Sequence, residues 1–251
     1  AFRRAREKPE KVKEFLTKKL KDSLGDRYDA QAFTPPYNPW EQRLCLVPDA
    51  DFFEAMKADK ASVVTDHIER FDKTGIQLKS GKHLDADIII TATGLKLAVA
   101  GKIPVRVDGE AVAWNEHYYY KACMFSNVPN FSVVFGYLNA SWTLRADIVS
   151  EYVCRVLNHM QQTGTDVATP VLADPDSLTE ENIFDFSSGY IQRALHIMPK
   201  NADKLPWRLS QTYVQDRIDM RTGEIADGVL TFTKAGDAKA APAPAELEAA
   251  E

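Results

Sequence analysis

The sequence predicts an α/β protein, and three observations carry that expectation. Residues 62–91 fall into short β-type runs separated by Asp-Lys-Thr-Gly and Ser-Gly-Lys turn signals. One of these runs, Asp87-Ile-Ile-Ile-Thr91, is continuously apolar in its centre, the pattern of a parallel strand buried on both faces. From Ser141 onward Leu144, Ile148, Tyr152, Val156 and Met160 recur every four residues, which writes a long amphipathic helix that Gly164 ends. The 251 residues, 45% hydrophobic and 27% charged with a net charge of −5, have the composition of a folded globular chain in one large domain or two modest ones. No apolar run approaches the roughly 18 residues of a membrane span.

The elements follow in order. Residues 1–27 hold ten Lys/Arg against five Asp/Glu, so this segment is locally basic and the acidic excess lies downstream. Its apolar positions Val12, Phe15, Leu16, Leu20 and Leu24 have helical spacing, predicting a helix from about Pro9 to Leu24 that stops at Gly25. Such a basic amphipathic helix is able to contact an anionic membrane surface, although packing one stripe and solvating the other explains it as well. No interleaved aromatic residues suggest base stacking, and no nucleic-acid partner is expected. Three prolines and three aromatics make residues 31–43 an ordered loop, since proline forbids helix continuation. Asp49 or Asp51 is then placed to cap a short helix through Phe52, Phe53 and Met56. β-type runs follow at 62–66, 67–71, 75–79 and 87–91, then at 103–107 and 111–114 around the hairpin signal Asp108-Gly109, and at 118–124 and 131–135. After the long helix, residues 165–182 are polar and turn-rich, and Ser188 is placed to cap a short helix reaching Met198. From Ala235 the chain lacks aromatic and β-branched residues and is expected to be disordered.

Several chemistries are disfavoured by spacing. Neither G-x-G nor G-G occurs, so a complete Gly-rich dinucleotide fingerprint is absent from these residues. Gly75 and Gly81 stand one residue too far apart for a phosphate-binding P-loop, and His83 occupies the position that loop gives to Ser or Thr. The five histidines form no H-x-x-x-H pair, and three cysteines without C-x-x-C favour a reducing, cytoplasmic compartment over a disulfide framework or zinc site. No catalytic residue and no metal ligand is singled out.

Two segments carry more. Asp85-Ala-Asp-Ile-Ile-Ile-Thr-Ala-Thr-Gly-Leu95 is a strand pattern breaking at small residues and a glycine, which lets backbone approach a ligand at a strand's carboxyl end, or simply makes an ordinary turn. Gly136-Tyr-Leu-Asn-Ala-Ser-Trp-Thr143 joins a β-type run to the start of the long helix, where free N–H groups and partial positive charge suit an anion or a polarised carbonyl. An ordinary strand-to-helix connection capped by Ser141 fits the same residues.

Asp87-Ile-Ile-Ile-Thr-Ala-Thr-Gly-Leu95 resembles the D-x-x-x-x-A-T-G motif of flavin-containing and Baeyer–Villiger monooxygenases, the class B flavoprotein monooxygenases. Tyr37-Asn-Pro-Trp-Glu-Gln-Arg-Leu-Cys-Leu-Val-Pro-Asp49, Asn139-Ala-Ser-Trp-Thr-Leu-Arg145, Gly189-Tyr-Ile-Gln-Arg193 and the stretch from Pro206 to Tyr213 resemble one bacterial subgroup of FAD-containing monooxygenases, in the same order over residues 1–220. The resemblance implies a C-terminal half comprising the later parts of two Rossmann-like nucleotide-binding domains, with β-hairpins and the long helix. Residues 1–92 would end an NADPH-binding domain with a helical insert, residues 93–220 would end an FAD-binding domain with a C-terminal fold-back, and 221–251 would form a tail.

The implied chemistry uses FAD and NADP to insert one oxygen atom from O2 into a ketone, sulfide or amine through a flavin peroxide, with the N-terminal half of the same enzyme as partner. The chain alone would then be inactive. By the same resemblance Thr93, Gly94, Gly136, Asn139, Ala140, Ser141 and Thr143 would contact cofactors, and Trp207 and Tyr213 would wall the substrate pocket. A non-catalytic relative serving as an interaction module is the alternative reading.

Overall fold

A computed structural model describes residues 2–45, 47–182 and 186–236, which divide into two compact units. Residues 1–96 with 186–190 make the first unit, and residues 97–185 with 191–251 make the second. The expected disorder from Ala235 falls almost wholly on residues 237–251, which lie outside the described residues.

The first unit opens with helices α1 (Phe2–Glu7) and α2 (Pro9–Leu24), followed by α3 (Ala30–Phe33) and α4 (Asp51–Lys57). Pro9 stands at the first position of α2, where its missing N–H costs nothing, and Gly25 ends the helix, as the sequence suggests. Of its apolar stripe only Leu24 is fully buried, and Phe15 stays largely exposed beneath the ammonium of Lys19. The proline-rich loop is ordered by local bonds: the Glu41 carboxylate accepts from the backbone N–H and side-chain amide of Asn38, both at 2.9 Å. Leu16, Leu20, Phe33, Tyr37 and Trp40 help line a cavity of about 320 Å³ between this loop and α2. The helix through Phe52, Phe53 and Met56 forms without either expected cap. Asp51 instead accepts from the adjacent Phe52 N–H, and Ala50, in the left-handed region, leads into the helix.

The unit's sheet is antiparallel, with β1 (Ile68–Phe71), β2 (Gly75–Leu78) and β3 (His83–Asp85) in sequential order. Residues 62–66 are not a strand, whereas β3 follows directly on the Ser-Gly-Lys turn, in residues to which the sequence assigns no β-type run. The expected parallel strand at 87–91 is also absent. These residues are extended but unpaired, with Ile88 and Ile90 80% and 85% exposed. A parallel strand is stable only between neighbours with both faces covered, and none of the described residues supplies that cover.

The second unit contains the hairpins β4 (Arg106–Val107)–β5 (Glu110–Ala111) and β6 (Tyr119–Tyr120)–β7 (Met124–Phe125). The first turns through Asp108 and Gly109, both at positive φ, as the Asp-Gly signal requires. Residues 131–135 run beside the core without forming a strand. The long helix α5 (Trp142–Thr163) ends at Gly164, and its Ile148, Val149, Tyr152 and Val156 face is buried. β8 (Val167–Pro170) and β9 (Glu180–Glu181) follow, and α6 (Gly189–Gln192) with a 3-10 turn at Leu195–Ile197 replaces the continuous helix expected to reach Met198. β10 (Asn201–Ala202) pairs β9, α7 (Tyr213–Thr222) packs along α5, and β11 (Leu230–Thr233) pairs β8. Tyr120, Met124, Ala168, Trp207, Met220 and Leu230 close the core around α5. Arg155 of α5 donates to the Met220 and Gly223 carbonyls at 2.6 Å, supplying a cation where α7 ends in unspent carbonyls. The mixed helix-and-sheet class is therefore observed, with every paired strand antiparallel.

Two expectations for this chain follow. Ile148→Ala, at a fully buried site, should cost about 2–5 kcal/mol in urea unfolding, while Ile90→Ala should stay within about 0.5 kcal/mol of the parent. The second concerns His83, whose ring nitrogens each lie 3.0 Å from a carboxylate, Asp72 on one side and Asp85 on the other. The Asp72 hydrogen bond leads in raising the His83 pKa above its ordinary 6.5, while the Thr74 amide and then His83 lower Asp72 to about 2. The His83 contribution is complete below about 6.5 and lost as pH rises through its raised value; that of Asp72 is complete above about 4 and lost as pH falls towards 2. Amide protection factors in β1–β3, taken against the intrinsic exchange rate at each pH, should therefore be highest between these limits, and His83→Asn should remove the alkaline limb.

Candidate functional site

The segment entering α5 is shaped by a glycine and an indole. A Cβ on Gly136 would collide with the Trp142 ring, so the backbone passes under that ring only without a side chain. Trp142 also packs against Phe135 at 5.3 Å between ring centroids. Asn139, Ala140, Ser141 and Thr143 follow, polar or small and half-buried to exposed. Ser141 has the extended conformation of an N-cap, yet its hydroxyl pairs with that of Thr143 at 2.7 Å instead of bonding a backbone N–H. The first turn holds no acidic residue. This helix end therefore presents donors and partial positive charge without a side chain of its own to neutralise them, an arrangement suited to an anion or a polarised carbonyl.

Residues 210–216 hold that end in place. Leu138 N–H donates to Gln211 Oε1 at 2.8 Å, and the Asn139 amide donates to the Gln211 carbonyl at 3.1 Å. Arg145, one turn into α5, is 1% exposed and donates to the Ser210 carbonyl at 2.5 Å. Its guanidinium lies 3.0 Å from Asp216 and 4.0 Å from the centre of the Tyr137 ring. The Tyr137 hydroxyl donates to the same Asp216 carboxylate at 2.7 Å. Burial, then that acceptor, raise the pKa of the Tyr137 phenol and keep it protonated.

The other expected residues fall in different settings. Tyr213 is the first residue of α7 and meets the edge of Tyr137 at 6.0 Å, beside this cluster. Trp207 is buried in the core against Tyr120, whose hydroxyl donates to Asp227 at 2.7 Å while Lys121 pairs with the same carboxylate at 2.9 Å. Burial alone would raise Asp227, but the Leu230 amide, Lys121 and Tyr120 outweigh it and hold the carboxyl below its ordinary value. Thr93 and Gly94 belong to the first unit; both are exposed, and Gly94 adopts φ of +101°, the freedom anticipated for it. Thus Gly136, Asn139, Ala140, Ser141 and Thr143 are brought together at one helix end, with Tyr213 near its support.

Sequence reading missed Arg145, Gln211 and Asp216. The available signal was Arg145 itself: it lies three and four residues before Ile148 and Val149, on the face that the apolar stripe buries. A charge on such a face demands a partner. Among the described residues, no cluster of three or more His, Cys, Asp or Glu side chains is arranged to hold a metal ion, and no helix is long and apolar enough to cross a membrane.

Gly136 generates the test for this geometry. Gly136→Ala should destabilise the chain by about 1–3 kcal/mol, and adding Trp142→Ala should recover part of that loss in a double-mutant cycle measured by urea unfolding.

No family model matches the chain. Curated relatives do. It is 44% identical over 234 residues to the Acinetobacter sp protein named "Probable FAD-binding monooxygenase AlmA", covering 93% of this chain and 47% of the relative. It is 46% identical over 228 residues to "FAD-containing monooxygenase EthA" of Mycobacterium tuberculosis, covering 90% and 46%. EthA of Mycolicibacterium smegmatis is 43% identical over 234 residues, covering 93% and 47%. The chain spans about half the length of the curated relatives it matches. With the similarity running through both units at this level of identity, the chain belongs to the family of FAD-containing monooxygenases.

Proposed function

We propose that the chain supplies the C-terminal part of an FAD- and NADPH-dependent monooxygenase acting on a small ketone, sulfide or amine. The observation that carries this reading is the 46% identity, over 90% of the chain, to a protein named as an FAD-containing monooxygenase. The two units would complete Rossmann-like NADPH and FAD domains, changing over near residue 92, and the chain alone would be inactive. FAD, when bound, supplies oxygen activation and electron transfer, while the protein contributes placement and electrostatics.

The residues present fit a flavin at the start of α5. Asn139, Ala140, Ser141 and Thr143 would line its pyrimidine edge, where a donor-rich, acid-free helix end favours an acceptor edge and any negative charge on it. Gly136 would keep the entering backbone close to Trp142, and Thr93 with Gly94 would let the chain pass beside a cofactor without side-chain bulk. Tyr213, at the head of α7, is the better supported of the two pocket residues; Trp207 would act behind the pocket, through the core that it fills.

Purification of the intact protein that contains this chain tests the reading. It should carry FAD and consume oxygen when given NADPH, and the chain alone should do neither. A colourless intact protein would overturn the monooxygenase assignment, and flavin retained with NADPH-dependent oxygen uptake by the chain alone would overturn its reading as a part. Thr143→Glu then tests the location. Added negative charge in the first turn should stabilise α5 by about 0.3–1 kcal/mol in the chain yet weaken FAD retention in the intact protein; unchanged retention would remove the flavin from this helix end.

A further inference from the structure

The charge pair beneath the α5 N-terminus is more than the core requires. Arg145 and Asp216 have side chains 1% and 8% exposed, and apolar residues of similar volume often stabilise such a position equally well or better. Arg145 joins four segments: it is anchored in the first turns of α5, stacks on Tyr137, donates to Ser210 and pairs with Asp216 of α7. Asp216 takes up both that guanidinium and the Tyr137 hydroxyl. Two donors of the same cluster, Arg145 Nε and Gln211 Nε2, are buried and have no acceptor among the described residues. The cluster thus holds surplus donors beside a helix end that already presents N–H groups. A lone buried guanidinium would add a full positive charge to the partial charge there, and the Asp216 carboxylate cancels it.

We propose that Arg145 and Asp216 are positioning residues for the cofactor end of α5, an inference that rests on the flavin reading above. The guanidinium locks the first turn against residues 210–216, and the carboxylate neutralises it. The charge felt by a bound flavin edge is then set by the backbone N–H groups of α5 and not by a side-chain cation. Neutrality of the pair fixes how strongly the site favours the reduced, negatively charged flavin.

The test measures the reduction potential of FAD in the intact protein and, in the FAD-free protein, amide exchange at Ala146, Asp147 and Ile148, whose N–H groups close the first turns of α5. Asp216→Asn leaves an unneutralised cation and should shift the potential upward. Arg145→Gln leaves an unneutralised carboxylate and should shift it downward. The double variant restores neutrality and should return the potential close to the parent value, while exchange at the three amides accelerates in all three variants because the lock is gone. Shifts of the same sign in both single variants, or no shift, would overturn the proposal. If the single variants fold poorly, the uncharged double variant decides alone: a potential far below the parent would mean that Arg145 acts on the flavin directly, and unchanged amide exchange would mean that the pair positions nothing. A parent protein without flavin would defeat the flavin reading instead, and the amide exchange would still report on the lock.

Discussion

A guanidinium held out of water at the start of α5 is the constraint on which the candidate site depends. A buried charge is tolerated only when its field and its hydrogen bonds are met. Arg145 therefore dictates where Asp216, Tyr137 and the Ser210 carbonyl must lie. Ser210 and Asp216 stand sixty-five or more residues beyond Tyr137 and Arg145, so one side chain gathers the entry to α5, the loop before α7 and α7 itself around a single point. The helix end left exposed on the other side has neither a capping bond nor an acid, and its donors remain available for a ligand.

The two units are stabilised by different means. In the second, α5 lays an apolar face on hairpin, strand and helix, and Arg155 and Arg145 secure the two sides of α7 by hydrogen bonds to backbone and carboxylate. Its core is built from contacts between distant segments. The first unit relies more on short-range polar contacts: Asn38 with Glu41, and Asp72, Thr74, His83 and Asp85 across one small sheet. The contacts across the sheet are solvent-exposed and individually weak, so its stability follows pH more closely than a buried core would.

What the sequence revealed depended on whether its signal was local. Pro9 and Gly25 bracket α2, the four-residue stripe and Gly164 delimit α5, and Asp108-Gly109 marks its hairpin, because each signal lies within the element it defines. The pairing of β8 with β11 joins residues some sixty positions apart and leaves no local pattern. Helix α7 buries only Asp216 and Met220, so no apolar stripe announces it. Residues 87–91 show the opposite error: β-branched composition specifies an extended backbone, but burial as a parallel strand depends on neighbours that composition does not encode. At the site, the small and polar residues before α5 were legible as a helix entrance. Arg145 and Asp216 were not, because charged residues are ordinarily assigned to the solvent face.

The exposed isoleucines of residues 88–90 have a consequence for the chain on its own. An extended, uncharged run with unpaired backbone groups offers a template on which another strand can add. Left uncovered, such a segment is where one chain could add to another, a contact whose formation would rise with concentration. Asp85 and Asp87 on one side and Lys96 on the other act as gatekeepers at its borders, leaving the three isoleucines between them as the patch through which the isolated chain would aggregate.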